Sequence, residues 1–298
     1  MESVMKDSFS RLHPIVGIVY FAAVISFSMF LMNPVCLAVS LSCAVANAVQ
    51  LNGQKTVLFG LKFILPTAVL VMLINPIVNH SGVTILTYLP WDNPLTLESV
   101  VYGIASAVML SSVVFWFSSF NKVMTADKLV YLFGKIAPAL GLLLSMAFRF
   151  VPRFSAQFRE VRTARKLLGR EKSGFIEKIK DAVRVISVML SHSLEDSIET
   201  ADSMKARGYG LKGRTAYSNY SFTKRDAIAL LLICISTASL IVLRVFGTAK
   251  YRYFPSVKGE LTGIDSVIFF TLYFLLMIMP FVINIWEGIR WKRLQSAI

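Results

Sequence analysis

The chain has 298 residues, of which 55% are hydrophobic and only 16% charged, with a mean hydropathy of +0.64. Soluble domains carry about 25% charged residues, so the composition excludes an ordinary soluble globule, and its oiliness excludes a disordered chain. Lys and Arg number 31 against 17 Asp and Glu, a net charge of +14, and where that excess lies organises the rest of the reading.

Residues 12–54 carry no charge. One membrane span needs about 20 apolar residues, so this interval predicts two spans divided at Asn33-Pro34, the second (Pro34 to Gln50) short enough to be re-entrant. Phe63 to Trp91 predicts a third, ending near Asn75-Pro76. Ser99 to Asn121 predicts a fourth, Ala227 to Leu243 a fifth and Ser266 to Trp286 a sixth. Helices satisfy their own backbone in lipid, and no alternation of period two suggests a barrel. The 13 uncharged residues from Ile136 to Phe148 are too few to span and contain Pro138; they read as an interfacial or packed helix. On the fourth span Gly103, Ala107 and Ser111 recur every four residues. That is a small-residue face for close packing, either within this chain or against a membrane partner. Cys36, Cys43 and Cys234 sit inside apolar runs and read as small buried hydrophobes.

Positive charge predicts orientation. Lys6 and Arg11 precede the first span, Lys55 and Lys62 flank the third, Arg290, Lys292 and Arg293 follow the last, and Ile77 to Glu98 contains no Lys or Arg. Both termini are therefore expected inside, and the first apolar run, with no cleavage site after it, is expected to stay as an anchor. The loop carrying Arg244, Lys250, Arg252 and Lys258 conflicts with this pattern, since it falls outside.

Residues 121–225 hold 20 Lys and Arg and 9 Asp and Glu, a local net of +11. The basic character thus belongs to one inserted segment. Nucleic acid as a partner would want exposed aromatics or a fold signature, and neither is visible. Anionic headgroups and a protein partner remain. Phe154, Phe158, Val161 and Leu168 form one helical stripe; Ile176, Ile179, Val183, Ile186, Leu190, Leu194, Ile198 and Ala201 form a longer one. Gly169 and Ser173-Gly174 mark a break between the two helices, and Gly208 with Gly210 stops the second. Arg165 falls within about 20° of Phe154 and Phe158 on the first stripe, so it either snorkels to water or lies on a surface awaiting a partner. Lys205 and Arg207 end the second helix, where the dipole favours cations. Gly208 to Thr215 approaches a phosphate-binding loop, but Arg214 replaces the lysine and a helix precedes it, so it reads as no nucleotide site. His13, His80 and His192 share no metal-ligand spacing, His192 reads as a packing residue, and no nucleophile–base set is visible. The scarcity of ionisable residues inside the spans argues against a secondary transporter or channel.

Phe148-Arg149-Phe150-Val151-Pro152 resembles the Arg-Phe-Ile-Pro segment of the transmembrane T component of energy-coupling factor (ECF) transporters, ABC-type importers of vitamins and of cobalt or nickel ions. Ala164-Arg165-Lys166 falls where that family has its first Ala-Arg-Gly-like motif, with Lys166 in place of Gly, and Ala206-Arg207-Gly208 falls where it has the second. The resemblance covers nearly the whole chain. It implies that these motifs lie on coupling helices that dock into two cytoplasmic ABC ATPase subunits and support a membrane-embedded, substrate-binding S component, with Arg149 and Pro152 as structural residues. It also implies that ATP and Mg are bound by the partner ATPases, with no cofactor and no enzyme activity on this chain. The expectation is an all-α polytopic protein of the plasma membrane, with about four spans in 1–120, a basic cytoplasmic coupling domain in 121–225 and two spans in 226–298. The alternative is a membrane scaffold that uses its basic domain to bind anionic lipid or another cytosolic protein.

Overall fold

Several of the apolar runs begin at a side chain that caps them. The computed structural model describes residues 9–88, 94–167, 174–211, 220–259 and 263–295. Helix α1 (Pro14–Phe30) has His13 as N-cap, whose Nδ1 accepts from the Ile15 N–H, and α2 (Pro34–Asn52) has Asn33, whose side chain accepts from the Val35 N–H. Both place Pro at the first helical position, where its missing N–H costs nothing. Helix α3 (Gln54–Phe59) passes through a π turn at Gly60–Ile64 into α4 (Leu65–Val78). A small antiparallel hairpin, β1 (Ile85–Tyr88) and β2 (Pro94–Thr96), leads into α5 (Leu97–Val123). Then follow α6 (Ala126–Ile136), α7 (Pro138–Leu167) and α8 (Phe175–Ala206). Helix α9 (Lys224–Val245) opens with a reciprocal capping box between Thr223 and Asp226. A second hairpin, β3 (Tyr251–Arg252) and β4 (Lys258–Gly259), precedes α10 (Ile264–Gln295).

The chain folds as two units, Met1–Ala126 with Tyr220–Ile298, and Asp127–Asn219. In the first, α5 packs against α2, α4 and α1, and α10 packs against α2 and α9. Trp116, Tyr20, Phe21, Tyr273, Phe269 and Met277 are fully enclosed. Tyr20 and Phe21 meet Trp116 edge-on at 6.3 and 6.4 Å between ring centroids, the arrangement the ring quadrupoles favour. One cluster of polar atoms in this core is paired internally. Ser40 Oγ lies 2.7 Å from Ser28 Oγ and 2.8 Å from Ser112 Oγ, and it accepts from Trp116 Nε1 at 3.2 Å. Hydroxyls enclosed this way avoid the cost of an unsatisfied group in an apolar medium. Gly103 is where α4 comes nearest: a Cβ there would stand 2.9 Å from Met72 O and 3.3 Å from Asn75 Cβ. Ala107 and Ser111 are buried on the same helix.

Among the described residues, six helical stretches are long and apolar enough to cross a membrane: Pro34–Asn52, Gln54–Val78, Leu97–Val123, Pro138–Leu167, Lys224–Val245 and Ile264–Arg290. The membership of this set differs from the expectation at two places. Helix α1 has 17 residues, about 25 Å at 1.5 Å per residue, and falls short of a hydrocarbon core of about 30 Å. The uncharged run Ile136–Phe148 is not a helix of its own. Helix α6 closes at Ile136, and α7 starts at Pro138 and runs unbroken through Pro152 to Leu167. Pro138 starts that helix because a first-turn proline needs no N–H, and Pro152 removes only one ladder bond. Pro34 to Gln50 lies in one continuous helix, Pro34–Asn52, long and apolar enough to cross. Cys36 and Cys43 are buried, but Cys234 is exposed on α9 among the exposed Leu231, Leu232 and Ile235, a lipid-like setting that a hydropathy run does not distinguish from a core.

Hydrogen bonds fix which helix ends lie together. His13 N donates to Asp226 Oδ1 at 2.9 Å, Phe9 N to Asn284 Oδ1 at 2.9 Å, and Ser10 Oγ to Val123 O at 3.4 Å. At the opposite end Tyr253 OH donates to Met32 O at 2.7 Å and Asn33 Nδ2 to Ala249 O at 3.3 Å. The chain therefore leaves the first unit after Val123 and returns to it at Thr223 on the same end.

Candidate functional site

Helices α7 and α8 run as an antiparallel pair within the second unit. Of α8, Asp181, Met189, Ser193, Asp196, Thr200 and Met204 are half-buried and Val185 is buried. These positions recur every three or four residues and define the face toward α7. It is a mixed, acidic face. Arg153 pairs with Asp196 at 3.0 Å, and Arg165 pairs with Asp181. The apolar stripe read from the sequence is a different face, roughly a third of a turn away. Ile176, Ile179, Val183, Ile186, Leu190, Leu194 and Ile198 are all exposed, between 50% and 68%. On α7, Leu140, Leu143, Phe148 and Val151 are exposed as well. The hairpin is held by ion pairs inside and presents hydrocarbon outside, the reverse of a soluble helix pair. His192 is exposed and so is not the packing residue it was expected to be.

The two arginine motifs are placed differently. Ala164 and Lys166 are exposed, but the Arg165 side chain is only 16% accessible and is engaged by Asp181. Neither sequence alternative describes it: the guanidinium neither snorkels freely nor stands open. It turns across to a carboxylate on the next helix, which a single-helix projection cannot reveal. Ala206 and Arg207 are exposed at the end of α8. Gly208 takes φ +79°, its N–H donates to Lys205 O at 2.9 Å, and the Tyr209 N–H donates to Met204 O at 3.0 Å. These two bonds form a Schellman cap, which a left-handed glycine permits at no steric cost. The cap fixes Arg207 at the last turn. No side-chain hydrogen bond or ion pair of Arg207 is present among the described residues. Gly169 and Ser173, expected at the break between the helices, and Gly213, Arg214 and Thr215 of the phosphate-loop look-alike lie outside the described residues.

Arg207 lines a cavity of about 720 Å³ together with Arg149, Phe150 and Arg153 of α7 and Asp196, Glu199 and Ser203 of α8. The cavity thus gathers Arg149 of the proline segment and Arg207 of the second motif, some sixty residues apart in sequence. Pro152 lies on the exposed side of α7, and Phe150 stacks on Phe154 at 5.7 Å. Sequence reasoning missed Arg153 and Asp181. A signal was present: Arg153 and Arg165 are 12 residues apart and Asp181 and Asp196 are 15 apart, offsets that an antiparallel hairpin brings into near register.

A family model described as cobalt transport protein, CbiQ, matches residues 5–217. The chain is 27% identical over 216 residues to the energy-coupling factor transporter transmembrane protein EcfT 1 of Listeria monocytogenes, covering 66% of this chain and 79% of that one. It is 30% identical over 108 residues to the EcfT protein of Lactobacillus helveticus, 35% of this chain and 39% of that one. With the EcfT protein of Lactococcus lactis it shares 30% over 106 residues, 35% and 40% of the two chains. The match thus spans about two fifths of the length of the last two relatives.

Proposed function

Given that this chain belongs to the CbiQ cobalt transport protein family, the transmembrane T components of ECF transporters, we propose that it couples two cytoplasmic ABC ATPase subunits to a membrane-embedded S component during uptake of a vitamin or of cobalt or nickel ions. In that reading the second unit is cytoplasmic and both termini share its side of the plasma membrane. Proteins of this family are transmembrane parts of a transporter and not enzymes, and ATP and Mg are held by the ATPases.

The observation that carries the proposal is the Arg207 tip. A capped helix end presents an exposed guanidinium with no side-chain partner among the described residues, beside Arg149 in an open cavity. A guanidinium is a planar fork that holds a carboxylate or carbonyl groups in two bonds. Ala206 beside it leaves room for a partner backbone to approach. The exposed stripe of α8 is then the apolar surface offered to the S component. Coupling follows if the ATPases hold the hairpin in two geometries that differ between nucleotide states, since only differential binding shifts such an equilibrium.

The test is retention of the two ATPase subunits by the affinity-purified full chain. Arg207→Glu is expected to reduce it at least tenfold, since a like-charged or unpaired buried contact costs about 2–5 kcal/mol. Undiminished retention overturns the reading. A lipid-binding scaffold is the second reading, favoured by the exposed stripe with Lys180, Arg184 and Lys205 along its helix. It predicts no stoichiometric ATPase and a domain–lipid association lost as salt rises.

A further inference from the structure

Helices α3 and α4, joined by the π turn, form one apolar stretch, Gln54–Val78, of which very little is buried within the chain. One side of it is committed to α5. Gly60 faces that helix, and a Cβ added there would stand 3.1 Å from Phe115 Cζ. Lys62 is two residues on, about 200° around the helix, and so lies on the other side. Lys55 precedes it by seven residues, close to two turns, and shares that side with Leu58 and Leu65. All four are exposed, so the stripe alternates cation and hydrocarbon. Helix α2 runs from Asn33, at the end with Ala249, to Asn52, so α3 starts at the end of the first unit that carries His13 and Asp226. Lys55 sits at that end, and Lys62 stands about 10 Å further into the span.

A cation inside an apolar span needs an anion or a route to water. Among the described residues neither lysine makes an ion pair. Lys62 Nζ lies 5.9 Å from the Phe63 ring centroid, the outer limit of a cation–π contact. The described carboxylates of the first unit are committed elsewhere. Glu98 accepts from Thr84, Asp226 accepts from His13 and Thr223, and Glu287 pairs with Arg225. Asp265 opens α10, at the end opposite to Asn284 and Phe9. The counter-charge therefore lies outside these residues. We propose that Lys55 and Lys62 bind the headgroup phosphate of an anionic phospholipid whose acyl chain lies along Leu58 and Leu65. Lys62 reaches back along its four-carbon stem toward Lys55, and the two ammoniums meet the headgroup where the hydrocarbon ends. A lipid satisfies both halves of the stripe at once, the phosphate for the cations and the chain for the leucines, whereas a free phosphate meets only the cations. The site needs a membrane and is independent of the ATPase-docking reading.

The experiment titrates the purified full chain in detergent with dioleoylphosphatidylglycerol or dioleoylphosphatidylcholine and reads the lipid-bound fraction by native mass spectrometry. The original chain should favour the anionic lipid roughly twentyfold. Lys55→Gln and Lys62→Gln should each lower that preference about fivefold, the contribution of one basic residue near an anionic headgroup. The double variant should bind the two lipids alike, and Lys62→Arg should stay within about twofold of the original. Lys122, a cation exposed at the same end on α5, is the control, and Lys122→Gln should leave the preference unchanged. The proposal is overturned if the double variant keeps the preference. It is overturned equally if Lys122→Gln lowers it as much as Lys62→Gln, since the attraction then belongs to the whole basic rim.

A thermal melt gives a second reading. Phosphatidylglycerol should raise the midpoint of the original chain and not that of the double variant, because only a ligand that binds the folded state stabilises it. In phosphatidylcholine the two should melt together, since exposed positions contribute little to the fold. Inorganic phosphate at the same concentration should neither raise the midpoint nor displace the lipid; if it does, the lysines hold a free anion and the lipid site fails. Loss of a co-purifying S component from the double variant, with the lipid preference intact, assigns the lysines to an acidic group of that protein and overturns the proposal.

Discussion

Three donors converge on Asp226. The His13 N–H reaches Oδ1 at 2.9 Å, and the Thr223 N–H and hydroxyl reach Oδ2 at 2.8 and 2.7 Å. The carboxylate is 4% exposed, so it ties the start of α1 to the start of α9 where water cannot substitute. Asp226→Ala is expected to cost about 2–4 kcal/mol, the combined loss of a cap and of a charged hydrogen bond left without its acceptor. A thermal melt of the purified chain should show a midpoint several degrees lower, and Asp226→Asn should recover part of it. Asp226 attracted no notice in the sequence, where it is one carboxylate at the edge of an apolar run. Its partner His13 lies 213 residues away, and no local pattern announces a bond of that range. Arg207 and Gly208 were legible for the opposite reason: a cation at a helix end and a glycine just past it are local rules.

At the scale of elements, hydrophobic period located α8 but misjudged what its stripe does. The period says that one face is apolar; it does not say whether this chain covers it. Here the covered face is the one with Asp181, Val185 and Asp196, because the arginines of α7 supply its partners. The distinction is measurable. Leu190→Glu with Leu194→Glu should change the stability of the isolated chain by about 0.5 kcal/mol or less, as for other exposed positions, yet should reduce co-purification of the S component. Val185→Asp should instead cost about 2–4 kcal/mol through an unpaired buried carboxylate. Equal destabilisation by both would mean that the stripe is covered within the chain. The merging of Ile136–Phe148 into α7 has the same lesson: a span-length rule judged the charge-free run alone, whereas the helix continues wherever its backbone bonds continue, across Arg149 and Pro152.

For the whole molecule, the composition was sufficient for an all-helical membrane protein, and the alternation of helix ends was implicit in the charge-free intervals. Orientation in the membrane is a matter for labelling. Residues 9–13, 123, 223–226 and 284 share one end of the first unit, and Met32, Asn33, Ala249 and Tyr253 share the other. A membrane-impermeant maleimide applied to intact cells should therefore modify Ser81→Cys and spare Lys166→Cys, with the reverse in inverted vesicles. Modification of both from one side would contradict the reading that places the second unit in the cytosol. The basic loop that conflicts with the charge rule is partly accounted for. Arg244 Nη1 donates to Thr248 O at 3.3 Å and to Ala249 O at 2.9 Å, closing the end of its own helix, as cations do at C-termini. Among the described residues, Lys250, Arg252 and Lys258 make no such side-chain hydrogen bond.

That Val123 rests on Ser10 while Asp226 rests on His13 has a consequence for how this architecture can be edited. The stumps left by cutting out residues 127–219 lie near the same end of the first unit, an arrangement in which a domain can be taken out or exchanged with little disturbance to its host. The bundle is a socket with its two leads side by side. A foreign hairpin could be spliced between them, which makes the inserted unit a replaceable cassette and the membrane portion a chassis.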